Sequence, residues 1–341
     1  MRIEIGSRAQ RLWQTHPGLG TAINATAGAM VLLFPLFASR YWTSVANYFG
    51  LYLLLGLSLN IIVGYAGLFQ LGHAAFFAVG AYTTAILNTT LDIPILWLLP
   101  VSGLVTAVVA YVFTRPVIHL RGDYLCIVTI GVGEIVRIAL LQNVFGLTGG
   151  PNGIFGIDRP SLFGFRIYQQ SQYYYLILLF VVLTIVGSYR LQRSRIGRAW
   201  TCIREDDIAA EAMGIDVTYY KTLSFVLGGA VAGMVGTLYA GWITVISPSS
   251  FDFWESVVMF CIVILGGAGS VPGIVLGTVG MVLLPEIFRQ LADYRMLVFG
   301  AAMVVMMIFR PQGLLPSQTW GRALQRPGDD REVPAVAASE D

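Results

Sequence analysis

The sequence predicts an all-α protein: a polytopic transmembrane bundle of about ten helices, or as few as about eight if interrupted segments turn back inside the bilayer. Three observations carry that expectation. Hydrophobic residues make up 56% of the 341-residue chain and charged residues 12%, with a mean hydropathy of +0.71. A water-soluble body of this size needs more polar surface than that. Apolar runs recur at about the 20 residues that a helix needs to cross a hydrocarbon core of about 30 Å. Arginines and the one lysine, Lys221, gather in some connections and are sparse in others, the pattern left when positive charge is retained on the cytoplasmic side.

In chain order, residues 1–21 form a polar lead carrying Arg2, Arg8 and Arg11, and its length points to an uncleaved signal anchor on the cytoplasmic side. A transmembrane domain is expected over 22–316. Its clear spans lie at 22–39, 45–63, 73–90, 94–113, 124–142, 173–189 and 222–246, each satisfied in lipid only as a helix, because every backbone polar group must be paired internally. The run from Val257 to Phe288 is too long for one helix and is interrupted by Gly266, Gly267, Gly269, Pro272 and Gly273. Two segments are expected there, and a last span at 294–309. Residues 317–341 mix Pro, Ala, Asp and Glu without apolar periodicity and are expected to form a disordered cytoplasmic tail.

Orientation follows from charge. The connection 190–221 holds Arg190, Arg193, Arg195, Arg198, Arg204 and Lys221, whereas 142–172, one span away, holds only Arg159 and Arg166. The first is expected inside and the second outside. With Arg115 and Arg121 also inside, the clear spans alternate consistently and both termini fall in the cytoplasm. In a bacterium, the membrane is the inner one.

Several classes are excluded or disfavoured. A net charge of +2 with scattered basic residues does not suggest a nucleic-acid partner; the expected solvent is membrane lipid. Cys126, Cys202 and Cys261 are far apart and show neither disulfide nor metal-ligand spacing. No segment reads GxxxxGK[ST], so a phosphate-binding loop of that type is absent and any use of ATP needs another subunit. The histidines, His16, His73 and His119, stand beside no recognisable nucleophile or carboxylate cluster, and nothing resembles an enzyme centre.

Within 190–221, Arg204-Glu205-Asp206-Asp207-Ile208-Ala209-Ala210-Glu211-Ala212-Met213-Gly214-Ile215 reads as a short capped helix, with acids in its first turn and Gly214 at its end. Ile208, Ala212 and Ile215 give it one narrow apolar face. That face fits two readings: a helix lying on the bilayer or on the protein's own helix ends, and a helix seated in a groove of a cytoplasmic motor domain. Gly64-Tyr65-Ala66-Gly67 and Gly266-Gly267-Ala268-Gly269 each interrupt an apolar stretch, about 200 residues apart. The pair fits either an internal duplication or a coincidence of glycine-rich helix ends. Glu134 and Arg137 share a helix face inside a span, as a structural ion pair or as part of a substrate path. His73, at the start of a span, is expected to bond to backbone. Thr148-Gly149-Gly150-Pro151-Asn152-Gly153 specifies a tight outer loop, either ordinary or placed to gate the mouth or receive a partner. Gly229 with Gly233, and Gly273 with Gly277, have the spacing of close helix packing.

The run Gly56-Leu57-Ser58-Leu59-Asn60-Ile61-Ile62-Val63-Gly64-Tyr65-Ala66-Gly67-Leu68-Phe69-Gln70-Leu71-Gly72-His73-Ala74-Ala75-Phe76-Phe77-Ala78-Val79-Gly80-Ala81-Tyr82 closely resembles the signature of LivM-type permeases of branched-chain amino-acid ABC importers. So do Leu147–Ile154, with Glu134 and Arg137 ahead of it, and the segments at Ala209–Ile215, Leu265–Gly277 and Phe309–Leu315. The resemblance covers roughly residues 45–316. It implies a permease subunit paired with a second, LivH-type permease, two cytoplasmic ATPases that bind ATP with magnesium, and a periplasmic substrate-binding protein. It implies no cofactor or metal of the chain's own. It also makes Glu205, Asp206, Asp207, Ile208, Ala209, Ala212, Met213, Gly214 and Ile215 the expected ATPase contact. Asn60, Gly64, Gly67, Gln70, His73, Glu134, Arg137, Gly266, Gly267 and Gly269 become candidates for the pathway. Gln70 departs from the small residue common in the family, and urea-type permeases share most of these motifs. A urea or amide permease, and a proton-coupled carrier using Glu134 or His73, are the alternatives.

Overall fold

A computed structural model of the chain describes residues 30, 32–120, 122–143, 146–162, 165–287, 300, 304 and 313–315. The expected lead at 1–21, half of the run at 22–39, almost all of the span at 294–309 and the tail at 317–341 lie outside these.

The described residues form a helical bundle. Helix α1 (Arg40–Asn60) continues into a π-helical turn at Ile61–Tyr65. Then come α2 (His73–Leu91), α3 (Ile95–Val117), α4 (Asp123–Leu141) and α5 (Gln170–Arg193). Two polar helices, α6 (Arg195–Glu205) and α7 (Asp207–Ala212), precede the long α8 (Val217–Ile243). Helix α9 (Phe253–Gly266) is followed by α10 (Val271–Thr278), a second π turn at Val279–Leu283, and α11 (Leu284–Ile287). Seven described helical segments are long and apolar enough to cross a membrane, beginning at Arg40, His73, Ile95, Asp123, Gln170, Val217 and Pro248; a shorter apolar helix occupies Val271–Ile287.

Boundaries follow capping chemistry as well as hydrophobicity. Helix α8 starts five residues before its expected apolar run, because Asp216 accepts the Tyr219 amide at 2.9 Å and satisfies one of the four free amides at a helix start. Asp252 does the same for α9 and Ser270 for α10. The expected interruption between Val257 and Phe288 is present. Gly267 and Gly269 have φ of +109° and +88°, which ends α9, and Pro272 opens α10 where its missing N–H is not needed. Two-residue strands were not expected: Ile154–Phe155 pairs antiparallel with Val245–Ile246, tying the outer loop to the connection after α8.

The tightest packing joins α2, α3 and α8. A Cβ on Gly80 would lie 2.2 Å from the Gly233 carbonyl oxygen, and one on Gly236 would lie 2.5 Å from the Ala81 nitrogen. Lipid supplies no hydrophobic drive between helices, so such small-residue contacts and buried polar bonds hold them instead. Thr237 of α8 bonds both Thr84 of α2, at 2.7 Å, and Ser102 of α3. Gly229 and Gly233, singled out by spacing, lie on this seam; Gly273 and Gly277 play the same part between α9 and α10, against Gly266 and Ile262. Gly80→Ala is therefore expected to destabilise the bundle by about 1–3 kcal/mol through backbone overpacking. The reading is a lower thermal-unfolding midpoint of the detergent-solubilised protein; an unaltered midpoint would mean the helices separate freely at this crossing.

Candidate functional site

Two interrupted spans meet at one end of the bundle. Asn60, the last residue of α1, is buried, and its Oδ1 accepts the Gly269 amide at 2.8 Å across 209 residues of sequence. A Cβ on Gly64 would fall 1.9 Å from that oxygen and 2.5 Å from the Gly269 nitrogen. Only glycine admits this approach. Beyond the π turn, Gly67 turns the chain with φ of +72°. On the α9 side, the carbonyls freed at the break are met by chain from much later in the sequence: the Leu314 amide donates to Leu265 at 3.0 Å and the Leu315 amide to Gly266 at 3.1 Å. Gly267 packs directly against Gly313, whose φ is +81°. The glycine-interrupted segments seen in the sequence thus form one junction, containing Asn60, Gly64, Gly67, Gly266, Gly267 and Gly269.

The polar connection sits on this junction. Arg204, near the end of α6, donates from Nη1 to the Gly64 carbonyl, and its stem covers Gly67. Burial draws the guanidinium pKa below its usual value, an effect opposed by the neighbouring Glu205 carboxylate. The chain then breaks at Asp206, which caps α7 by accepting the Ile208 and Ala209 amides at 2.8 and 3.1 Å. Helix α7 ends in a left-handed cap at Gly214, φ +82°. There the Gly214 amide returns to Glu211 and the Ile215 amide to Ala210, the reciprocal pairing of a Schellman ending. The short capped helix therefore exists but begins at Asp207, with Asp206 as its cap; Arg204 and Glu205 close the helix before it.

Only Ala210 of α7 is buried. Ile208 and Met213 are 65% and 78% exposed, Glu205, Asp206, Ala209, Ala212 and Gly214 are exposed, and Asp207 and Ile215 are half-buried. The open apolar face consequently runs through Ile208, Ala209, Ala212 and Met213, with Ile215 turned partly inward. Asp207 is held by an ion pair to Lys221 of α8. A cavity of about 370 Å³ lies between α7 and the junction, lined by Gly67, Leu120, Arg204, Asp206, Ile208 and Lys221.

The other candidates lie elsewhere. Gln70 and His73 are fully buried. His73 Nε2 pairs with the Ser58 hydroxyl at 2.7 Å, a side chain rather than the expected backbone group. Between them, Gly72 crosses α4 closely enough that a Cβ would meet the Thr129 carbonyl at 2.0 Å. Glu134 and Arg137 pair at 2.8 Å on α4 and are half-exposed. In the outer loop Gly149, Gly150 and Gly153 all have positive φ, Pro151 and Asn152 are exposed and Thr148 is buried. Its organiser, Asn143, was not foreseen: at φ +50°, it accepts the Thr148 and Gly149 amides, both at 3.0 Å. Glu255, which accepts from Tyr52 inside the bundle, is absent from the sequence-predicted site, and Arg204 enters it only as one of the loop's positive charges and as the head of the capped segment. An asparagine three residues before Gly146 and a carboxylate beside an apolar run were the available signals.

Asn60→Ala removes the acceptor of the Gly269 amide and leaves a buried donor unpaired, a cost of about 1–3 kcal/mol. Hydrogen exchange at the segment containing Gly269 is expected to accelerate by roughly tenfold or more. Exchange equal to the parent chain would show that this bond does not hold the junction closed.

Residues 41–307 match the family described as branched-chain amino acid transport system, permease component. The chain is 42% identical over 310 residues to the high-affinity branched-chain amino acid transport system permease protein LivM of Salmonella typhimurium, covering 84% of this chain and 73% of that one. It is 41% identical to the protein of the same name from Escherichia coli, with the same coverage. The corresponding permease protein LivH of Escherichia coli is 27% identical over 289 residues, covering 77% of this chain and 91% of that one. No solved structure matches the chain significantly.

Proposed function

Because the chain belongs to the permease-component family of branched-chain amino acid transport systems, we propose that it forms one half of the membrane pathway of an ATP-driven importer for branched-chain or other small amino acids. It is a multi-pass membrane transport subunit, not an enzyme. Its partners are a second permease of the LivH type, two cytoplasmic ATPases that bind ATP with magnesium, and a periplasmic binding protein. The membrane is the bacterial inner membrane, with the 190–221 connection and both termini on the cytoplasmic side, as the distribution of arginines supports.

One observation carries the mechanical reading: an exposed, doubly capped helix, α7, follows directly on α6, whose Arg204 bonds to the junction of two broken spans. Helix α7 then serves as the ATPase contact through Ile208, Ala209, Ala212 and Met213, and the junction as the part of the pathway that opens to one side and then the other. The second permease covers α4, of whose apolar window only 11% is buried, against 78% for the span beginning at Arg40. Burial of the half-exposed Glu134–Arg137 pair in that interface fits the cost of charge in lipid. The outer loop 148–153 faces the binding protein.

A proton-coupled carrier is less well supported. Arg137 already neutralises Glu134, and the Ser58 hydroxyl engages His73 in the packed core.

Ile208→Asp combined with Ala212→Asp places two charges on the docking face while leaving the Asp206 and Gly214 caps intact. ATP-dependent leucine uptake by the reconstituted complex is expected to be abolished, with the subunit still recovered in the membrane fraction. Uptake at the parental rate would remove α7 from the ATPase contact.

A further inference from the structure

Arg204 has a geometry that its place in a basic loop does not require. Two other bonds anchor the α6–α7 unit to the start of α8, the next helix in the chain: Trp200 Nε1 donates to the Tyr220 carbonyl at 2.7 Å, and Asp207 pairs with Lys221. Arg204 instead reaches back 140 residues to Gly64. The Gly64 carbonyl lies in the π turn that ends α1, where carbonyls lose their helical partners and carry partial negative charge. A guanidinium donated there is a charge-assisted bond, stronger than a neutral one. The same glycine sits against both Asn60 Oδ1 and the Gly269 amide, so a pull on its carbonyl is felt by both interrupted spans. On the other side, Arg204 is separated from the Asp206 cap of α7 by a single residue.

We infer that Arg204 is the tie through which displacement of α7 reaches the Asn60–Gly64–Gly269 junction, a positioning residue that couples ATP hydrolysis to opening of the pathway. This rests on the permease reading above. Its chemistry favours arginine: the planar fork fixes direction at the carbonyl, while lysine offers a mobile point charge.

The test uses the full complex of both permeases, ATPases and binding protein in proteoliposomes, with labelled leucine outside and ATP inside. Uptake and ATP hydrolysis are measured on the same vesicles. Arg204→Gln is expected to keep hydrolysing ATP while leucine moved per ATP falls about tenfold, the factor that corresponds to loss of one charge-assisted hydrogen bond. Arg204→Lys is expected to fall between the two and serves as the readout if the glutamine variant is not recovered. An unchanged ratio in either variant overturns the assignment. Uptake and hydrolysis declining in proportion overturns it too, because that is the signature of a static support. Absence of ATP-dependent uptake in the parental complex would instead strike the permease reading itself.

Discussion

A backbone that stops being helical within the buried part of a bundle frees carbonyls and amides, and each must be met by another part of the protein. Among the described residues this happens after Tyr65 and after Gly266, and the surrounding architecture supplies partners from remote positions. Asn60 receives Gly269, Arg204 meets Gly64, and Leu314 and Leu315 close the end of α9. The requirement gathers the end of α1, the end of α9, the polar connection and the chain after the last expected span into a single contact. The Gly64 and Gly67 backbones approach their neighbours too closely for any side chain. The glycines thus serve mutual access, and the polar partners make that access affordable in free energy.

Around this contact the bundle has two mechanical grades. Helices α2, α3 and α8 are locked through backbone approaches at Gly80, Gly233 and Gly236 and by the buried Thr84–Thr237–Ser102 chain. Sliding there would break polar bonds and drive carbonyls into one another. Helix α4 is held more loosely, through the Gly72–Thr129 crossing and the outer loop. Transporters that rock one unit against another need this contrast between a block that moves as a body and seams that yield. The π turns at Ile61–Tyr65 and Val279–Leu283 have the wider hydrogen-bond rings that commonly mark functional segments.

The helical class and most spans were legible in the sequence because lipid imposes a length and a composition that single runs must meet. Helices at His73, Ile95 and Asp123 begin within two residues of the apolar runs that announced them. The break at Gly266–Gly269 was legible too, since glycines and a proline crowd a run too long for one span. What composition could not reveal was which distant segments touch. Arg204 read as one positive charge among six, yet its significance lies in a bond to residue 64. Asn60 read as one polar residue in an apolar run, and its partner stands 209 positions away. The apolar face of α7 was legible in kind, but its rotation was set by Ala210 packing inward and by the Asp207–Lys221 pair, so Met213 faces out where Ile215 had been expected.

That ion pair also governs how the subunit can be observed chemically. Lys221 is the chain's one lysine, 7% exposed and engaged by Asp207, so amine-reactive cross-linkers and labels find no open lysine side chain on this protein. Proximity maps built on lysine chemistry would leave a blank where it sits in an assembly, and a neighbour inferred from that blank would be an artefact of composition. Conversely, a single lysine introduced at exposed Met213 would give α7 a handle with almost no background.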